Sequence, residues 1–242
     1  MHAIEVDGLG ALTETVGRWL WPPRCLLCEA PAQHRRDVCN ACVAGLPWNL
    51  VACLRCALPL PGPAGSYADA CGQCLRKPPP LTETHAAFVY GFPLDRLLPR
   101  FKFHDGLVAG RLLSQWMHDA CVSLPRPDAL IPVPLHRARL RQRGYDQALE
   151  LARPLARSLQ VSLRDDLLLR TRHTLPQSRL GALQRRRNLR GAFVVPQGST
   201  LPRHVTLIDD VMTTGATLHA AARTLLRAGV QRVDAWVCAR VP

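Results

Sequence analysis

Hydrophobic positions along the chain change their spacing twice, and each change marks a different kind of element. In the first twenty residues Leu9, Leu12, Val16, Trp19 and Leu20 recur at helical intervals, with Glu14 and Arg18 among the polar positions between them. That pattern predicts an N-terminal segment, 1–20, built on an amphipathic helix at 9–20 that packs against its own protein. Through residues 21–80 apolar residues become sparse, and no run there is long enough to make a core. From Ala86 onward short apolar runs return at Ala86–Tyr90, Ala129–Val133, Val205–Ile208 and Val233–Val237. Between them lie helical stripes, namely Leu94, Leu97, Leu98 and Phe101; Leu107, Leu112, Leu113, Trp116 and Met117; Ala148, Leu149, Ala152, Leu155, Ala156 and Leu159; and the stretch Ala216–Ala228. Apolar strands alternating with helices predict an α/β domain over 81–242, with a largely parallel sheet covered on both faces. In such sheets ligands are received beyond the carboxyl ends of the strands.

The sparse region is explained by its cysteines. Eight of the ten fall into four C-x-x-C pairs, Cys25/Cys28, Cys39/Cys42, Cys53/Cys56 and Cys71/Cys74, all within fifty residues. A C-x-x-C turn aims two thiolates at one ion, and two such turns close a tetrahedral zinc site with Zn–S of about 2.3 Å. Two structural zinc ions are therefore expected in a cysteine-rich domain at 21–80. Pairing in sequence order is the simplest arrangement, with nested or interleaved pairings as alternatives. Disulfides would need an oxidising compartment and a secretory signal, whereas the first residues carry Glu5 and Asp7 where a signal would be basic. With so few apolar residues the module depends on metal, on the order of 10 kcal/mol per site, to fold. Cys121 and Cys238 stand apart as buried core thiols. A Pro/Gly/Ala-rich stretch, Ala57–Ala70, lies within the second half of the module, and Arg76–Pro80, ending in three prolines, marks the boundary with the α/β domain.

No apolar run approaches the eighteen or so residues of a membrane span, so a cytoplasmic protein without membrane insertion is expected. The formal charge is +13, and 29 of the 31 basic residues are Arg, the two lysines being Lys77 and Lys102. Between Arg126 and Arg190 there are 15 Arg against five acids. This asymmetry favours a partner that bears phosphate.

One strand end carries the chemistry. In Val205-Thr206-Leu207-Ile208-Asp209-Asp210-Val211-Met212-Thr213-Thr214-Gly215-Ala216-Thr217 an apolar strand runs into two carboxylates, a hydroxyl- and glycine-rich turn, and a helix start. The turn offers N–H and hydroxyl donors to an anion at a helix N-terminus. The carboxylates accept only, so they call for a diol or a metal beside the anion. A sugar phosphate meets both demands.

This segment resembles the phosphoribosyl-diphosphate signature of type I phosphoribosyltransferases. The resemblance implies that Asp209 and Asp210 contact the ribose hydroxyls and are the catalytic residues of any transfer reaction. Thr213, Thr214, Gly215, Ala216 and Thr217 would hold the 5′-phosphate, with Mg²⁺ accompanying the diphosphate. Upstream, Ile131-Pro132-Val133-Pro134-Leu135-His136-Arg137-Ala138-Arg139-Leu140-Arg141-Gln142-Arg143-Gly144-Tyr145-Asp146-Gln147-Ala148 resembles the block that distinguishes the ComF (competence factor) family, and the four cysteine pairs are similar to its double zinc ribbon. Asp146 stands where that family usually has Asn. The resemblance covers about residues 21–237 and implies a phosphoribosyltransferase-like fold. It makes Pro134, Leu135, His136, Arg137 and Arg143 candidates for 5-phosphoribosyl diphosphate binding, with Arg137 first for the diphosphate. If the run from Arg137 is extended, its four arginines share one face; if helical, only two face the site. Lys102 is a secondary candidate. Residues 172–190 resemble the basic loop that closes over such sites.

Three functions follow from these expectations. The first is a phosphoribosyl-diphosphate-binding protein or transferase linked to DNA uptake. The second is a single-stranded DNA-binding adaptor of competence proteins with a regulatory nucleotide site, a reading that the scarcity of aromatic residues, 5%, weakens. The third is a ligand sensor without turnover. The acceptor of any transfer is not encoded in a recognisable motif. Only five residues follow Val237, so cover for a base is expected from the cysteine module or from Pro78–Phe103.

Overall fold

The computed structural model describes residues 24–32, 37–63, 67–102, 106–172 and 191–242. The helix expected at 9–20 and the basic stretch from residue 173 to 190 lie outside the described residues. The chain divides into two compact units, Met1–Leu46 and Pro47–Pro242.

The smaller unit contains the first two cysteine pairs and a single turn of helix, α1 (Asn40–Ala44). In the larger unit the remaining pairs come first, with strands β1 (Ala52–Cys53) and β2 (Tyr67–Ala68) and helix α2 (Gly72–Arg76). There follow β3 (Thr84–Val89), α3 (Leu94–Phe101), α4 (Leu107–Cys121) and β4 (Ala129–Pro132). Next come α5 (Arg137–Arg143), α6 (Gln147–Leu159), β5 (Ser162–Leu163) and the antiparallel pair β6 (Leu169–Arg170) and β7 (Phe193–Val194). The chain closes with β8 (His204–Met212), α7 (Ala216–Ala228) and β9 (Arg232–Arg240).

Five strands form one parallel sheet in the order β3-β9-β8-β4-β5. The alternation of strands and helices in sequence therefore reads through to a parallel sheet flanked by helices. β9 is buried from Val233 to Ala239 without alternation, as a central strand covered on both faces must be. On one side, α4 and α6 pack together around Leu112, Leu113, Trp116, Leu151 and Leu155, and Ser114 donates to the Leu151 carbonyl at 3.0 Å. Gly110 lets α3 approach α4, since a Cβ there would fall 2.3 Å from the Phe101 ring.

The amino ends of β3, β8 and β9 are tied by buried Asp234. It accepts from the Glu83 N–H at 3.0 Å and from Arg232 Nε at 2.9 Å, and it pairs with His204 Nε2 at 2.7 Å. This network lies at the end of the sheet opposite the strands' carboxyl ends.

The free edge of β3 is covered by the segment that leads into the third cysteine pair. Asn49 N–H donates to the Ala87 carbonyl at 3.0 Å and Val89 N–H to the Pro47 carbonyl at 2.8 Å, while the Trp48 ring lies 4.5 Å from Phe88. The stretch near residue 80 lies within the larger unit, where Cys56 of the second group of cysteines packs against the sheet core.

Candidate functional site

The eight paired cysteines gather into two tetrads, Cys25, Cys28, Cys39 and Cys42, and Cys53, Cys56, Cys71 and Cys74. Within each tetrad the sulfurs all lie within 4.8 Å of one another. A tetrahedral site with Zn–S of about 2.3 Å has S···S edges of about 3.8 Å. Cys28 and Cys39 approach to 3.6 Å, and Cys56 and Cys71 to 3.8 Å. Pairing follows sequence order.

The two tetrads repeat one local design. In the first knuckle of each, the residue after the second cysteine turns left-handed, Glu29 at φ 63° and Ala57 at φ 54°, and its N–H returns to the first cysteine's carbonyl at 2.8 Å. In the second knuckle of each, Cys39 and Cys71 cap a short helix, so that Cys42 and Cys74 face back one turn later. Cys71 N–H also donates to Cys53 Sγ at 3.1 Å, the kind of donor that steadies a ligating thiolate. Cys121 and Cys238 belong to neither tetrad, and burial pushes both thiols well above the usual range.

A second site opens where the parallel strands end. There a cavity of about 260 Å³ is lined from four directions. β8 supplies Asp209, Asp210 and Val211, the turn behind it supplies Thr213, and the first turn of α7 supplies Thr217. The loop after β4 supplies Val133, Pro134 and Leu135, and the α5–α6 region supplies Arg139, Arg143, Asp146, Gln147 and Ala148. Lys102 and Arg170 complete the wall.

The carboxylates are held by their own strand. Asp209 accepts from the Asp210 N–H at 2.9 Å, and Asp210 accepts from the Val211 N–H at 2.7 Å while pairing with Lys102 Nζ at 3.1 Å. Burial, and then the neighbouring Asp210 charge, push Asp209 well above the usual carboxylate range, with Lys102 opposing. Asp146 is raised too, mainly by burial, although three backbone N–H groups pull the other way. Two of those, Ala148 at 3.0 Å and Leu149 at 3.3 Å, belong to the first turn of α6, which Asp146 caps. The third, Leu135 at 2.8 Å, belongs to the loop after β4, so Asp146 fixes that loop against α6.

Helix α5 decides which arginines reach the cleft. Residues four apart share a helical face, and Arg139 and Arg143 line the cavity while Arg137 and Arg141 are exposed. Arg137, expected first for the diphosphate, is therefore not among the lining residues. His136 serves as the N-cap, its Nδ1 accepting from the Ala138 N–H at 3.2 Å. Of the turn residues, Thr214 is exposed, Gly215 takes φ 71° as the N-cap of α7, and Ala216 is the buried first residue of that helix. The first N–H groups of a helix find no acceptor inside it, so a helix start such as that of α7 is a place where an anion can be held.

Arg170 had no signal in the sequence. It reaches the cleft because β6 pairs with β7, and its guanidinium lies 5.5 Å from the centre of the Phe193 ring. Burial and the nearby Arg139 depress it, while Asp209 and Asp146 act in the opposite sense. The cleft therefore interleaves cations and carboxylates. Its carboxylates can accept from hydroxyls, and its guanidiniums and helix start can hold anions.

Fold and site together define a parallel α/β protein with a double cysteine tetrad and a polar cleft at the strand ends. The double zinc ribbon domain matches residues 16–83, which span both tetrads. The chain is 34% identical over 229 residues to DNA utilization protein YhgH of Salmonella typhi, covering 90% of this chain and 97% of that protein. It is 33% identical over 230 residues to competence protein F of Haemophilus influenzae, covering 90% and 96%. Competence protein ComFC of Bacillus subtilis is 29% identical over 225 residues, covering 85% and 89%. The chain belongs to the competence protein F (ComF) family, and its two tetrads are structural zinc sites. Among the described residues no helix is long and apolar enough to cross a membrane.

Proposed function

We propose that the cleft binds 5-phosphoribosyl diphosphate, and that the protein serves DNA uptake or utilisation, the role named in its relatives. The observation that carries this reading is the meeting of three groups in one cavity. They are the paired carboxylates Asp209 and Asp210, Thr213 and Thr217 on either side of the α7 N-cap, and Arg139 and Arg143 beside Pro134 and Leu135. A ribose bearing anions at both ends suits that set. Its hydroxyls donate to the carboxylates, its 5′-phosphate sits at the helix start, and its diphosphate faces the guanidiniums. Mg²⁺ would travel with the diphosphate and offset its charge.

Calorimetry of the zinc-loaded protein with 5-phosphoribosyl diphosphate and Mg²⁺ tests the reading. Binding is expected, and Asp209→Asn with Asp210→Asn is expected to weaken it at least 100-fold, on the order of 3 kcal/mol for charge-assisted bonds to two hydroxyls. Unchanged affinity in the double variant, with both zinc ions retained, would overturn the assignment. Diphosphate release in the presence of a base separates a transferase from a ligand sensor.

A second reading, an adaptor that grips single-stranded DNA, is favoured by one feature. The exposed face of α5 carries Arg137 and Arg141 together. Strand binding through these residues would weaken steeply with salt and survive the double Asp variant.

A further inference from the structure

The second tetrad and the turn at the start of α7 are joined through one side chain, Arg240, the last residue of β9. Its Nε donates to the carbonyl of Cys56 at 2.8 Å, and its Nη1 reaches the carbonyl of Met212 at 3.4 Å as well as that of Val241. Val241 N–H donates to the same Met212 carbonyl at 2.9 Å, so the main chain on which the turn begins is held from two sides. Met212 in turn holds the turn twice. It precedes Thr213 in the chain, and its Cε lies 2.5 Å from where a Cβ on Gly215 would stand. Met212 is buried in the sheet core, and Cys56 packs against that same core.

We propose that Arg240 is a positioning residue that ties the Thr213–Thr217 turn to the second tetrad, so that zinc there sets the affinity of the cleft for phosphate. Four thiolates around a dication carry a net charge of −2, and a guanidinium alongside offsets it. Donors to metal ligands commonly change metal affinity by about 10–100-fold when removed, and Arg240 acts on the main chain of one such ligand, Cys56. The same fork that orients Cys56 also fixes Met212, so a shift of the knuckle moves the start of the turn. Coupling of this sort is reciprocal: a ligand at the turn must retain the metal as strongly as the metal retains the ligand. The inference rests on the reading that this turn holds a phosphate.

The test uses the full zinc-loaded chain and ribose 5-phosphate as the probe. Ligand affinity is measured by calorimetry, and zinc release is followed as transfer to a chromogenic chelator with and without the probe. In the unaltered protein the probe is expected to slow the release of one of the two zinc ions about 10-fold and leave the other unchanged. Arg240→Gln is expected to keep both ions, to bind the probe about 10-fold more weakly, and to release both ions at rates the probe does not alter. Probe affinity in Arg240→Gln equal to that of the parent, or slowing of release that survives the substitution, overturns the proposal. If Arg240→Gln does not fold, Arg240→Lys carries the same comparison, because it keeps the charge but cannot reach both carbonyls with one planar fork. A parent protein that binds no ribose 5-phosphate would sink the reading of the cleft itself. Binding in the parent with no difference in the variants sinks only the role of Arg240.

Discussion

Asp209 and Asp210 stand next to each other at the end of a parallel strand, and the strand gives both side chains backbone donors while bringing their charges close. Burial and the Asp210 charge raise Asp209, so the folded state holds its proton more tightly than the unfolded chain does. The consequence for stability follows from linkage: the contribution of this group is present below the ordinary carboxylate range and is lost as pH rises through the raised value. Above the ordinary carboxylate range the group is therefore a cost to the fold that the site retains for binding. Asp209→Asn is expected to stabilise the protein by about 0.5–2 kcal/mol at pH 7, the usual scale for relieving a functional strain. The gain should shrink toward pH 3, where both states hold the proton. Thermal unfolding across that range checks it, and a variant less stable than the parent at pH 7 would contradict the picture. Binding of a ribose should run the other way, weakening as pH falls and Asp209 takes up its proton.

At the scale of elements, α5 shows how much a run of residues withholds until its conformation is known. Four arginines at alternate positions share a face on a strand, but on a helix only those four apart do. The chain makes the helix, starting it at His136 and ending it at left-handed Gly144, so Arg139 and Arg143 turn inward together. Arg139→Gln with Arg143→Gln is expected to reduce affinity for inorganic diphosphate at least 10-fold, whereas Arg137→Gln with Arg141→Gln should change it less than twofold. Calorimetry at fixed ionic strength compares them, and equal losses in the two pairs would show that only net charge matters. The acidic pair and the glycine turn were legible because they are contiguous, with a strand before them and a helix after. The zinc ligands were legible because C-x-x-C spacing is set by the metal. Arg170 and the structural work of Asp146 were not, since both depend on contacts between distant segments: a two-residue β-pair for Arg170, and the Leu135 N–H, eleven residues away, for Asp146.

For the molecule as a whole, the two zinc sites have the same local design but unequal duties. The first tetrad lies within the compact unit that ends at Leu46, whereas the second belongs to the unit that holds the sheet. There the segment Pro47–Asn49 satisfies the edge of β3 at Ala87 and Val89, Thr84 N–H donates to the Leu54 carbonyl at 2.7 Å, and Asn49 Nδ2 donates to the Ala57 carbonyl at 3.0 Å. The segment that covers the edge strand is thus bonded to the knuckle at Cys53 and Cys56, and so is β3 itself. An uncovered edge is a template for pairing with another chain. Zinc supplies on the order of 10 kcal/mol to a ribbon that has little apolar core of its own, so its loss should uncover β3 rather than merely loosen a loop. Cys53→Ser with Cys56→Ser is expected to lower the unfolding temperature of the sheet and to promote association that grows with protein concentration. Cys25→Ser with Cys28→Ser should leave both nearly unchanged. Light scattering during thermal unfolding distinguishes them. Equal aggregation in the two variants would mean that the second ribbon does not guard the sheet edge.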